Sequence, residues 1–124
     1  MDEKTFKDRT KRLGLSVIRL VEKFPRSIAA DAIGRQIVRS ATSIGANYRA
    51  TCRAKSSADM INKLKVVEEE SDETGYWLEL ILEANLVPKE LIAPIAKETE
   101  EILAMTVASL KTLRSRQSVP NRKS

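Results

Sequence analysis

Glu70-x-x-Glu73 and Glu98-x-x-Glu101 are two carboxylate pairs, each with its members one helical turn apart. Two helices presenting such pairs to each other can hold magnesium, a hard cation that takes oxygen ligands, and with it hydrolyse a nucleotide pyrophosphate bond. Glu70 and Glu73, however, share their helix flank with Trp77 instead of lying on an apolar stripe, and acidic pairs at this spacing are common on solvated faces and in salt bridges between subunits. The sequence contains no histidine. That removes the usual general base near neutral pH and the commonest metal ligand, and it excludes a ferritin-like di-iron centre built on Glu-x-x-His. Cys52 is the only cysteine, so neither an internal disulfide nor a zinc cluster can form. Arg49 and Arg53 stand close enough in sequence to lower its pKa. With no base beside it, it reads as a small, half-buried side chain. Gly34 and Gly45 make no phosphate loop, because no lysine-bearing glycine pattern follows a strand. Gln36 and Asn47 are expected to tie helices together or satisfy buried polar groups. The residues therefore lead to a protein that is not an enzyme, with no catalytic residues, no metal ligands and no cofactor. A magnesium-dependent nucleotide pyrophosphohydrolase stands as the distant alternative.

Charge is the stronger signal. The chain carries 22 basic and 17 acidic side chains, a net charge of +5, and they are not evenly spread. Residues 25–55 hold Arg26, Arg35, Arg39, Arg49, Arg53 and Lys55 against Asp31 alone, whereas residues 56–88 hold Lys63 and Lys65 against eight acids. On a helical projection Arg35, Arg39, Thr42, Ala46, Arg49 and Arg53 fall within about 40° of one line, opposite Ile33, Ile37, Ile44 and Tyr48. Three readings stay open for this arginine line: a solvated face, pairing with an acidic stripe of a neighbouring subunit, or binding of nucleic-acid phosphates through Arg35, Arg39, Arg49 and Arg53. Few aromatics accompany the arginines, so any RNA or DNA contact would be backbone-directed and salt-sensitive. The following acidic segment shows three faces. Met60, Leu64, Val67, Leu78, Ile81 and Leu82 make a core stripe, widened by Ser71 and Thr74. Glu68, Asp72, Glu79 and Glu83 line one flank. Glu70, Glu73, Trp77 and Leu80 form a mixed second flank whose large aromatic points to an oligomer interface.

Four helices must position these groups. Phe6, Leu13, Val17, Leu20, Val21 and Phe24 recur at three- and four-residue steps over a first helix from about Thr5 to Lys23. Pro25 interrupts it, and Ser27 caps a second helix reaching about Ala54. Ser56, with Asp59 three residues on, opens a third that runs to about Ala84, where Asn85 takes the left-handed stop. Pro94 argues against one continuous fourth helix, so a short turn at 88–92 and a main helix from about Ala93 to Arg116 are expected. Short connections favour antiparallel neighbours. The fold class is all-α: a single antiparallel up-down-up-down four-helix bundle over residues 1–117, with 118–124 a disordered tail. No apolar run reaches the length of a membrane span, and the charged N-terminus is not signal-like. A cytoplasmic protein without membrane contact is expected.

The stretches Gln36–Asn47 and Glu68–Val87 carry a resemblance. Phe24-Pro25, Gln36, Arg39, Ser43-Ile44 and Asn47, then Ser71, Glu73-Thr74, Tyr76-Trp77-Leu78 and Glu83-Ala84-Asn85-Leu86, resemble the bacterial 23S rRNA-intervening sequence proteins, also called S23 ribosomal proteins. The similarity spans about residues 5–115. It implies an antiparallel four-helix bundle that assembles as a ring-like homopentamer. A similar bundle is the accessory protein of diversity-generating retroelements, a basic pentamer that partners a reverse transcriptase and nucleic acid. Many members carry a glutamate and a glycine shortly after the asparagine. This chain has Tyr48-Arg49-Ala50 there, so no role resting on that acid carries over, and the arginine line gains a member instead.

Overall fold

The computed structural model describes residues 2–117, and the tail expected at 118–124 lies outside them. The chain forms α1 (Glu3–Val21), α2 (Ile28–Cys52), α3 (Ser57–Glu83) and α4 (Lys89–Gln117). Their starts follow from local chemistry. Asp2 accepts from the backbone N–H groups of Lys4 and Thr5, Ser27 from Ala30 at 3.0 Å, and Ser56 from Asp59 at 3.0 Å. Asp59 reaches back to the backbone N–H of Lys55 at 3.0 Å, one residue before the cap. The Asp2, Ser27 and Ser56 bonds satisfy amides that the first helical turn leaves without a partner. Past the end of α3, Asn85 stands at φ 53°, the left-handed stop expected of it.

The fourth helix differs from expectation. It runs unbroken from Lys89, with Pro94 inside it. Proline there costs a single helical bond, the one Glu90 carbonyl would have accepted, and both Glu90 and Pro94 are exposed, so water can replace the missing donor.

The helices pack in chain order around a square, α1 on α2, α2 on α3, α3 on α4, and α4 back on α1. Along the first seam Gly45 faces Thr10, Gly14 faces Thr42 and Gly34 faces Val21. Rising numbers meet falling ones, so the two helices are antiparallel. Buried positions follow a seven-residue seam: Phe6, Leu13 and Leu20 in α1, Ile37 and Ile44 in α2, Leu64, Ser71 and Leu78 in α3. A 3.5-residue repeat of this kind belongs to helices that cross at a shallow angle and supercoil. It also decides two positions differently from the straight projection: Leu82 is exposed, and Ile61 is buried where Met60 is only half-buried. Ile33 and Tyr48 pack against the core without being fully enclosed.

Polar side chains punctuate this core. Thr10, Thr51, Ser71, Thr74, Thr99 and Thr106 are buried, and each donates to the carbonyl four residues earlier at 2.7–2.9 Å. Ser40 and Thr74 hydroxyls meet across the α2–α3 seam at 2.8 Å. No buried side-chain nitrogen or oxygen among the described residues lacks a partner, so these hydroxyls avoid the penalty of unpaired polar burial.

Candidate functional site

The two glutamate pairs do not face each other. Glu98 and Glu101 project from α4 to Arg9 of α1. The guanidinium donates through Nε to Glu98 Oε2 at 2.8 Å, and through Nη2 to Glu98 Oε1 at 2.7 Å and Glu101 Oε1 at 2.8 Å. Glu70 and Glu73 project from α3 to Arg39 of α2, whose Nη1 lies 3.2 Å from Glu70 Oε1 while Nη2 pairs with Glu73. One clasp closes the α1–α4 seam and the other the α2–α3 seam, on opposite sides of the square. Bidentate guanidinium pairing of this kind is the strong form of an ion pair. It sets a positive guanidinium between the members of each pair, where a cation would have to sit, and four carboxylates split between opposite seams cannot share one ion. Among the described residues no cluster of three or more His, Cys, Asp or Glu side chains is placed to hold a metal.

Each clasp perturbs its members. Glu98 and Glu101 raise the pKa of Arg9, and Glu73 followed by Glu70 raises that of Arg39. The Glu73 carboxyl is held below its ordinary 4.5, first by the indole N–H of Trp77 and then by Arg39; the indole donates to its Oε2 at 3.0 Å. A carboxylate with a depressed folded pKa contributes stability that is complete above the unfolded value and lost as pH falls through the folded one. Trp77 is the only tryptophan, so its fluorescence should report this step. Its emission is expected to change on acidification with a midpoint below 4.5, and the change should disappear in Glu73→Gln. A Glu73→Gln variant that keeps the same transition would show that another group controls the indole.

The four arginines singled out by the helical projection separate into two kinds. Arg39 is held by Glu70 and Glu73 within the chain. Arg35, Arg49 and Arg53 are exposed, and no described acid pairs with them. Arg35 to Arg53 spans roughly 27 Å of helix. At one end Arg35, Arg39 and Arg26 line a hollow floored by Val21, Phe24 and Val38. Arg26 and Phe24 were not among the expected site residues. Their signal was adjacency, since Phe24-Pro25-Arg26 leads directly into α2.

Of the four residues of the expected oligomer flank, Glu70 and Glu73 belong to the Arg39 clasp. Trp77 is half-buried against the core, with Tyr76 edge-on to it at a centroid distance of 5.0 Å, and Leu80 is also half-buried.

Cys52 lies with Tyr48, Glu3 and Met105 in a cavity of about 560 Å3 at one end of the bundle. Burial raises the pKa of this thiol, and Glu3 pushes the same way against the lowering bond from Tyr48. The flanking arginines do not activate it. Asn47 does not join helices: its Nδ2 donates to the carbonyl and hydroxyl of Ser43 in its own helix, at 2.9 and 2.7 Å. Gln36 is exposed.

An all-α four-helix bundle stapled by two arginine–glutamate clasps, basic on α2 and acidic on α3, is the class these observations define. The chain belongs to the 23S rRNA-intervening sequence protein family, whose description fits residues 3–108. It is similar to a crystal structure from Bacteroides thetaiotaomicron VPI-5482, described as a protein of unknown function from the S23 ribosomal protein family. The two share 32% identity over 90% of this chain and 99% of that one, with a TM-score of 0.82. No curated protein matches the chain. Nothing in the family description names an enzymatic activity. No helix among the described residues is long and apolar enough to cross a membrane.

Proposed function

We propose that this protein is a non-enzymatic, cytoplasmic binding module that self-assembles and holds RNA or DNA by its phosphates. The observation that carries the nucleic-acid reading is the run of three exposed arginines, Arg35, Arg49 and Arg53, none of which forms an ion pair with a described acid, although Asp31 stands one turn before Arg35. Guanidinium groups spread along one rigid helix release condensed counterions when they meet a phosphate backbone, which makes binding strong at low salt and indifferent to sequence. The hollow at Arg35 adds Phe24 as a surface against which an unstacked base can rest. Single strands are therefore expected to bind at least as well as duplexes.

Self-assembly is supported by the segregation of charge between α2 and α3 and by apolar side chains that the bundle leaves in water, among them Tyr76 and Leu82. A closed ring, a homopentamer by family resemblance, would multiply the arginine lines and raise avidity for a long polymer. The alternative role is an assembly scaffold for a protein partner, with the arginines taken up between subunits.

Fluorescence anisotropy with a labelled single-stranded oligonucleotide tests the proposal. The logarithm of the binding constant should fall linearly with the logarithm of salt concentration, with a slope of roughly −2 or steeper. No retention of RNA or DNA at low salt would overturn the nucleic-acid reading.

A further inference from the structure

Four glycines lie inside helices of this chain, and three of them face a neighbouring helix, two closely and Gly14 at ordinary contact distance. A Cβ on Gly34 would come within 3.0 Å of Val21, one on Gly45 within 3.4 Å of Thr10, and one on Gly14 within 3.7 Å of Thr42. Gly75, in the middle of α3, is different. A Cβ placed there meets nothing within 4 Å, and its φ is not in the left-handed region. Glycine weakens a helix interior relative to alanine. Nothing inside the subunit requires it at this position.

Gly75 is part of the groove between α3 and α4. Around it stand Tyr76, Leu82 and Leu103, and the groove continues to Val107. Tyr76 is 51% exposed, and Leu82 and Val107 are each 43% exposed. Acids rim this apolar strip: Glu68, Glu69 and Asp72 toward one end, Glu79 and Glu100 toward the other. Elsewhere on the same molecule is a surface of opposite character. Leu15 of α1 is 40% exposed, and one turn to either side of it lie Lys11, Arg12, Ile18 and Arg19. None of these three basic groups enters an ion pair among the described residues.

We infer that the α3–α4 groove seats the outer face of α1 from a second copy of this chain. Leu15 and Ile18 of the incoming helix would lie on the strip beside Tyr76, Leu82 and Val107. Lys11, Arg12 and Arg19 would meet the acidic rim, and the missing side chain at Gly75 lets the incoming helix approach the α3 backbone. Aromatic and aliphatic anchors inside a charged rim have the anatomy of a protein interface. The contact is heterologous, because the groove and the α1 face are different patches, so it propagates from copy to copy and closes only as a ring. It leaves the α2 arginine line uncovered for nucleic acid. The inference rests on the self-assembly proposed above and assigns its surface.

Light scattering after size exclusion, on the full chain at micromolar concentration, tests both levels. Wild-type protein should be a multimer. Gly75→Leu fills the groove floor and removes a helix-weakening residue, so it should run as a monomer with full helical content and undiminished stability of the monomeric fold. Lys11→Glu/Arg19→Glu should also run as a monomer. Mixed in equal amounts, the two variants should give a dimer and nothing larger, since each brings one intact surface. A wild-type monomer would overturn self-assembly and the groove together. A multimer of wild-type mass for Gly75→Leu would overturn the groove alone. Dissociation by Gly75→Leu without dissociation by the α1 substitutions would overturn α1 as its occupant.

Discussion

Replacing both Gly14 and Gly45 with leucine is expected to destabilise the bundle by about 1–4 kcal/mol, from roughly 1–3 kcal/mol for each overpacked site less the gain in helix propensity. At this chain length such a loss lowers Tm by on the order of 10 °C. The reason lies in the α1–α2 seam. A Cβ on Gly45 would already stand 3.5 Å from the Thr10 backbone, and one on Gly14 3.7 Å from the Cα of Thr42. The outer carbons of leucine have no room between two backbones at that distance, so the helices must separate along the whole register. Better helix propensity recovers at most about 1 kcal/mol per site. Thermal or urea unfolding monitored by circular dichroism measures the effect. The informative comparison is Gly75→Leu, measured in dilute solution so that lost assembly does not enter the stability. There the propensity gain stands without a steric cost, and the sign should reverse. Equal losses at all three positions would mean that the open space above Gly75 is closed in solution.

The fold was readable where a rule acts within one turn. Ser27, Ser56 and Asn85 mark helix ends by the bonds their own side chains or dihedral angles make, and the structure shows those features. Legibility failed where the answer depended on a neighbouring helix. A straight projection places Leu82 on the core stripe of α3, but the supercoiled seam turns it outward and takes Ile61 inward. The Pro94 expectation failed for a different reason: a lost backbone bond is costly when buried, and this one faces water.

The candidate site was legible as residue types and not as partnerships. Arg39 stood out as part of a basic line, and Glu70 and Glu73 as part of an acidic flank. The readings open to them were solvent, another subunit or nucleic acid, and none placed them against each other. In the structure they are partners of one another. Charge patterning along one helix shows that a face is charged, and only packing shows what stands opposite. The same holds for Glu98 and Glu101, which meet Arg9 some ninety positions away in sequence. The spacing that suggested a magnesium site serves equally well to fit the two arms of a guanidinium. Gly75 illustrates the complementary case: composition gives no reason to prefer it over the other helical glycines, and its distinction appears only when the space around each is known.

Replacing Arg35, Arg49 and Arg53 together with alanine is expected to weaken nucleic-acid binding by about 100-fold or more near physiological salt, and to make the salt dependence shallower by roughly 2–3 in slope. Each guanidinium that neutralises a phosphate contributes nearly one released counterion, so affinity and slope must fall together. A loss of affinity with an unchanged slope would indicate unfolding or loss of avidity in place of lost phosphate contacts. Arg39→Ala separates the sites further. That side chain is already neutralised by Glu70 and Glu73, so its removal should leave the slope nearly as it was. It should instead release Glu73, allow that carboxyl to titrate closer to its ordinary value and move the Trp77 emission with it. If Arg39→Ala reduced the slope as much as removal of an exposed arginine, the clasp would have to open on binding. If the triple variant dissociated the assembly and left nucleic-acid affinity intact, the exposed arginines would belong to a subunit contact, and the scaffold role would replace the binding role.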